Sequence, residues 1–341
     1  MTERNGMRYG VLGLIVLTLL IFLGLMVAMQ SPSTSEPTAP GATAAPALES
    51  LAALDGQAPA RRALDIQTWT TAEGAKVLFV AAPQLPMFDL RLTFAAGSSQ
   101  DGDVPGLAML TNAMLNEGVA GKDVGAIAEG FEGLGAHFGN GAYRDMAVAS
   151  LRSLSQRDLR EPALALFSEV LGAPSFPADS LARIQNQLLA GFEYQKQNPG
   201  KLAGIALFEA LYGSHPYAHS SDGNAQSIPA ITLEQLRAFH AKAYTASNAV
   251  IAVVGDLSRS EAEAISAQVS AALPKGPALA KTPQPDVPKA GRQHIEHPSK
   301  QTHLLLAQLG IDRREPDYAA LYIGNQILGG GGFGTRLMEE V

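Results

Sequence analysis

The chain has 341 residues, 46% of them apolar and only 17% charged, and a formal net charge of −7. That length can bury one large core or two ordinary ones, and the lack of a basic surplus argues against a nucleic-acid partner. No cysteine is present, which excludes disulfides, thiolate metal sites, cysteine nucleophiles and lipidation of an N-terminal cysteine.

Residues 1–10 carry Arg4 and Arg8 and read as a cytoplasmic N-terminus. Residues 11–29 contain no charge and are dense in Leu, Ile, Val and Met, enough to cross a bilayer as one helix. The positive-inside rule then places the bulk of the chain on the periplasmic or extracytoplasmic side of the cytoplasmic membrane. A cleaved signal peptide is the rival reading; the long apolar run and the absence of a small-x-small site favour a retained anchor. Residues 30–63, rich in Pro, Ala, Ser and Thr, read as a flexible tether.

Folded patterning starts near Leu64 and predicts a first α+β domain over 64–273. Val77–Val80 is an apolar run suited to a buried strand. Phe88, Leu90, Leu92 and Phe94 alternate with Asp89, Arg91 and Thr93, which predicts a half-buried strand. After a Gly/Ser loop, Asp103 is placed to cap a helix with Pro105 in its first turn. Helices are predicted near 123–134, 157–171, 178–197, 201–212, 232–243 and 259–273, and a strand over Val250–Val254. Residues 274–290 are Pro- and Lys-rich and read as an interdomain linker.

From 291 to 341 the strand–loop–helix theme restarts. Leu305, Ala307, Ile323, Asn325 and Leu328 stand at one constant offset from Leu92, Phe94, Leu110, Asn112 and Leu115. An internal repeat and a chance similarity both account for so few positions. A second unit of equal size would run well past Val341, so the sequence reads as a truncated one.

Four patches, in order, carry a family resemblance. They are Ala96-Gly97-Ser98 through Glu117-Gly118; Tyr194 to Pro199; His215-Pro216-Tyr217 with Ile228–Thr232, Phe239-His240, Tyr244, Asn248–Val250 and Val254–Asp256; and Leu328 to Leu337. Together they resemble the insulinase/pitrilysin/mitochondrial processing peptidase family, whose metal motif is the inverted H-x-x-E-H. The resemblance implies an α+β half-clamshell: a mixed or antiparallel sheet packed with helices, one complete domain and the start of a second related one. At the motif positions this chain has Met109, Asn112 and Ala113. These share one helix face at i, i+3 and i+4, and none can supply the imidazoles or the base. The family's distal Glu ligand falls at Ala190 or Gly191.

By this resemblance the chain is expected to hold no metal, to have no catalytic residue, and to be inactive alone. A zinc-bearing homologous partner subunit would supply zinc. This chain would complete the chamber and hold an extended peptide or unfolded protein substrate along Gly329, Gly330, Gly331, Gly332 and Phe333. The alternatives are a structural or binding protein without a proteolytic role and, lower still, an active zinc peptidase with relocated ligands. His294-Ile295-Glu296-His297 falls one residue short of the inverted motif and reads as a solvated surface. His215 and His219 read as a polar loop packed through Tyr217, His137 has no evident partner, and Glu117 and Glu193 read as solvated carboxylates. Ser98 and Ser99 have no His/Asp constellation in sequence, and the glycine run has neither P-loop nor dinucleotide spacing.

Overall fold

Alternating strands and capped helices build a six-stranded sheet with helices on one face, beside a separate two-stranded sheet. The computed structural model describes residues 64–330 and 332–340. The expected membrane segment 11–29 and tether 30–63 lie outside the described residues, as do Gly331 and Val341. Among the described residues no helix is long and apolar enough to cross a membrane.

In chain order the elements are β1 (Gln67–Thr70), β2 (Lys76–Ala81), β3 (Met87–Phe94), α1 (Leu107–Ala113), β4 (Gly118–Val119), β5 (Lys122–Asp123), α2 (Val124–Glu132), β6 (His137–Ala142) and β7 (Ala147–Leu154). Then come α3 (Arg157–Gly172), α4 (Ala178–Gln195), α5 (Pro199–Tyr212), α6 (Ser227–Ala230), α7 (Leu233–Ala243), β8 (Ala249–Gly255), α8 (Arg259–Ala272), α9 (Tyr318–Asn325) and α10 (Arg336–Glu340). The main sheet has the order β1-β2-β8-β3-β7-β6. β2 and β8 run parallel; the other neighbours are antiparallel.

The period-two pattern of β3 does what it predicts. Phe88, Leu90, Leu92 and Phe94 are buried, and Asp89 and Arg91 are exposed. Ile251 and Val253 of β8 and Val77 and Phe79 of β2 join the same buried face, over which α3, α7 and α8 contribute Phe167, Leu236 and Ile265. On the opposite face Val250 and Val254 stand exposed. β8 ends at Gly255, whose φ of 149° and approach to β3 exclude a side chain: a Cβ there would lie 2.4 Å from the Met87 carbonyl oxygen.

Helix starts carry their own chemistry. Thr232 with Gln235 and Ser258 with Glu261 form capping boxes for α7 and α8, and Asn198 caps α5 with Pro199 in its first turn. From Pro274 to α9 there is neither helix nor strand. The strand expected around Leu305 and Ala307 does not form, and Leu304 and Leu306 are exposed. A strand needs a paired neighbour, and no described residue offers one here. α9, which satisfies its own backbone, does form where the repeat pattern expects a helix. The glycine strip continues α9 as a π-helical turn over Gln326–Gly330, with no buried residue.

Candidate functional site

The site is the start of α1, and a close backbone approach positions it. The turn between β6 and β7 lies directly on Gly97: a Cβ there would sit 2.4 Å from both Tyr143 O and Met146 N. Ser98 N–H donates to Tyr143 O at 2.9 Å and Ser99 N–H to Arg144 O at 2.8 Å. The chain then turns through Ser98–Gln100 into Asp101, whose side chain is fully enclosed. Its carboxylate accepts from Gly106 N–H at 2.8 Å and Ala108 N–H at 2.7 Å. His219 Nε2 donates to the same carboxylate at 3.1 Å.

Asp101, not Asp103, therefore serves the orphan N–H groups at the head of α1. Asp103 is exposed and Pro105 precedes the helix. Gly106, with φ of 92°, delays the helix start to Leu107 and brings the earlier carboxylate into reach.

On α1 the three motif positions have structural roles. Met109 is half-buried against the core, and Ala113 is half-buried and offers no donor atom. Asn112 is 2% exposed. Its Nδ2 donates to Val148 O of β7 at 3.3 Å and to the Tyr244 hydroxyl at 3.1 Å. Its main-chain carbonyl accepts from Asn140 Nδ2 of β6 at 2.7 Å. Burial pushes the Tyr244 phenol well above its ordinary pKa, partly offset by the Asn112 bond. Tyr244 stacks on His240, at 5.2 Å, and meets the tilted ring of Phe94 at 4.8 Å. Burial lowers the pKa of His240, partly offset by the bond its Nε2 donates to Leu171 O at 2.8 Å. The cluster holds neither a free base nor an activated nucleophile.

Ala190 and Gly191, the distal ligand slot, are exposed on α4, and a Cβ on Gly191 would meet open space. Glu117 is not the solvated carboxylate that sequence suggests. It is buried just after α1 and paired with Arg183, two turns upstream of the slot on α4. A buried carboxylate needs such a partner, and only the fold brings Arg183 to it. Glu193 is exposed and pairs with Lys196 at 2.6 Å.

The loop after α5 is polar and packs through Tyr217, as expected. The Tyr217 hydroxyl donates to Asp145 at 2.6 Å; burial and then that carboxylate raise its pKa. Arg144 lies 4.6 Å from the Phe208 ring centroid and donates to Tyr217 O at 2.6 Å. Ser98 Oγ donates to Ser221 Oγ at 3.1 Å. His294 donates to Glu296 at 3.0 Å while His297 Nε2 donates away, to Lys196 O at 3.2 Å. His137 is exposed at the start of β6. Among the described residues no three His, Asp or Glu side chains converge as a metal site.

Beside α1 runs β6, the last strand of the sheet order. Phe138 points into the helix layer, stacked 5.5 Å from Phe131. Asn140, two residues on and on the same face, reaches α1. Sequence reasoning misses this strand, Asp101, Arg183 and the Asn112–Tyr244 bond. The local signal for the cap is an acidic residue shortly before Gly106, and Asp101 and Asp103 both meet it.

Comparison with known proteins gives two family matches. Residues 76–222 match the insulinase family, peptidase family M16, and residues 230–341 match the peptidase M16 inactive domain. A crystal structure of a peptidase M16 inactive domain from Pseudomonas fluorescens is 78% identical, with a TM-score of 0.80 over 82% of this chain and 68% of that one. The non-peptidase homolog YmxG of Helicobacter pylori is 27% identical over 75% of this chain and 59% of its own length. The first half of the periplasmic protease PqqL from Escherichia coli shares the fold at 20% identity, with a TM-score of 0.58 over 65% of this chain and 49% of that one. The chain thus spans about three fifths of the length of the curated relatives it matches.

Proposed function

We propose, from the premise that this chain belongs to peptidase family M16, that it is a non-catalytic subunit of a zinc metalloendopeptidase. One observation carries the reading. The motif position that needs a general base holds Asn112, whose amide is buried and already spent on Val148 and Tyr244. Met109, Ala113, Ala190 and Gly191 add no metal-binding side chain in place of the remaining ligands. The name of the Helicobacter pylori relative, a non-peptidase homolog, is in keeping with this.

In this reading a homologous partner chain supplies the zinc and the metal-activated water. This chain completes the chamber and holds an extended peptide. Two features support a peptide-holding role. Edge strand β6 ends the sheet next to α1, which leaves a row of main-chain groups for an added strand. The glycine strip, Gly329 to Phe333, exposes its backbone around Gly329, Gly330 and Gly332, with Phe333 91% exposed. Segment 11–29 anchors the subunit in the cytoplasmic membrane with its bulk on the periplasmic side, and 291–341 belongs to a second related domain.

Assaying the purified chain against unstructured peptides with added zinc tests the proposal. No turnover is expected alone, and turnover is expected once the zinc-bearing homologue is added. Robust cleavage by the chain alone overturns it.

A further inference from the structure

The linker leaving the first domain is held in a way its composition does not suggest. Ser247 Oγ donates to Gly276 O, and Thr245 Oγ1 donates to Pro277 O at 3.4 Å. Leu279 N–H donates to Asn248 Oδ1 at 3.2 Å, and Gln100 Nε2 donates to Ala280 O at 3.2 Å. His215 Nε2 donates to Pro283 O at 2.9 Å, while its Nδ1 accepts from Tyr217 N–H at 3.1 Å. All five side chains bond to the linker's main chain, and Leu279, half-buried, packs against the core. Gly276 lies close against Thr245, where a Cβ would stand 3.0 Å from the methyl group. Beyond Pro283, among the described residues, the next hydrogen bond back to the first domain joins His297 to Lys196.

The five donors and acceptors come from three loops at one end of the sheet: the turn after β3, the loop after α5 and the turn before β8. Gln100 immediately precedes Asp101, the cap of α1. His215 lies four residues before His219, which bonds that same carboxylate. The segment therefore ties together the loops that set the head of α1.

We propose that Gly276–Pro283 is a docked strap, not a flexible linker. Its groove reads main chain plus one leucine, and motion between the first domain and the C-terminal residues is confined to the bow at 284–296. The strap makes the position of the linker and the position of α1 mutually dependent. A pull on the linker is felt first at Gln100 and His215, one and four residues from the groups that hold the helix cap.

Limited trypsin digestion of the full 341-residue chain, with the fragments identified by mass spectrometry, tests this. Lys281, Lys289 and Arg292 are all exposed, so their cleavage rates report main-chain opening and not side-chain access. Cleavage after Lys289 and Arg292 is expected to run about tenfold or more ahead of cleavage after Lys281, because proteolysis tracks the population of the open form. The double variant Gln100→Ala/Ser247→Ala should bring Lys281 cleavage up toward the Lys289 rate with an unchanged circular dichroism spectrum. Equal rates at Lys281 and Lys289 in the unmodified chain overturn the strap, whether or not the variant folds. So does a folded double variant whose Lys281 stays protected.

Discussion

A carboxamide at position 112 does what a carboxylate cannot. Asn112 Nδ2 donates to a carbonyl and a phenol, whereas an ionised Glu or Asp only accepts. An acidic residue there would face the Val148 carbonyl across a buried contact, so the family's base does not fit the position as it is now built. Asn112→Ala leaves Val148 O and the Tyr244 hydroxyl short of a partner inside the core. We expect it to cost about 1–3 kcal/mol, read as a lower urea midpoint with an unchanged m-value. A midpoint equal to that of the parent chain would mean the bonds are idle. The same scale explains Gly97, where the opposing backbone leaves no room for a Cβ. It also explains Glu117, whose burial is tolerated because Arg183 meets it.

At the level of elements, capping boxes set where α7 and α8 begin, and the α8 box has a pH signature. The Ser258 N–H and hydroxyl and the Arg160 guanidinium hold the Glu261 carboxyl down to about 2, against an ordinary value of 4.5. A depressed folded pKa stabilises above the unfolded value, and that stability drains as pH falls through the folded one. The contribution is therefore present above about 4.5 and lost between there and about 2. Glu261 is partly exposed, so solvent screens the effect. Glu261→Gln should lower the urea midpoint at neutral pH and flatten its decline over that acid window. A decline of unchanged slope would show that Glu261 carries none of the acid sensitivity.

Those boxes are also why α7 and α8 are legible in the sequence, as β3 is from its strict alternation. β6 and β7 are not. Gly139 and Gly141 interrupt one, and Ala147, Ala149 and Ser153 make the inward face of the other too small to stand out. The position of the motif face on α1 is legible from spacing alone. Its occupants' partners are not, because Val148, Tyr244 and Asn140 lie far along the chain and meet Asn112 only in the fold. Local pattern misleads at Leu305, where apolar residues without a neighbouring strand among the described residues stay irregular.

At the scale of the whole molecule, among the described residues, the helices cover one face of the sheet and leave Val250 and Val254 exposed on the other. α9 is apolar yet has no buried residue, and Leu304, Leu306 and Phe333 are almost fully exposed. Surfaces of this kind mark contact with further protein or peptide. In the proposed reading, peptide is held at the uncovered sheet face, the β6 edge and the glycine strip, and no zinc is held at the α1 motif positions. Zinc content tests that division most directly. The full chain, purified without chelator and dialysed, should retain no stoichiometric zinc, and adding Zn²⁺ should leave its unfolding transition where it was. Stoichiometric zinc that survives dialysis and disappears on substitution at Met109, Asn112 or Ala113 would contradict the account.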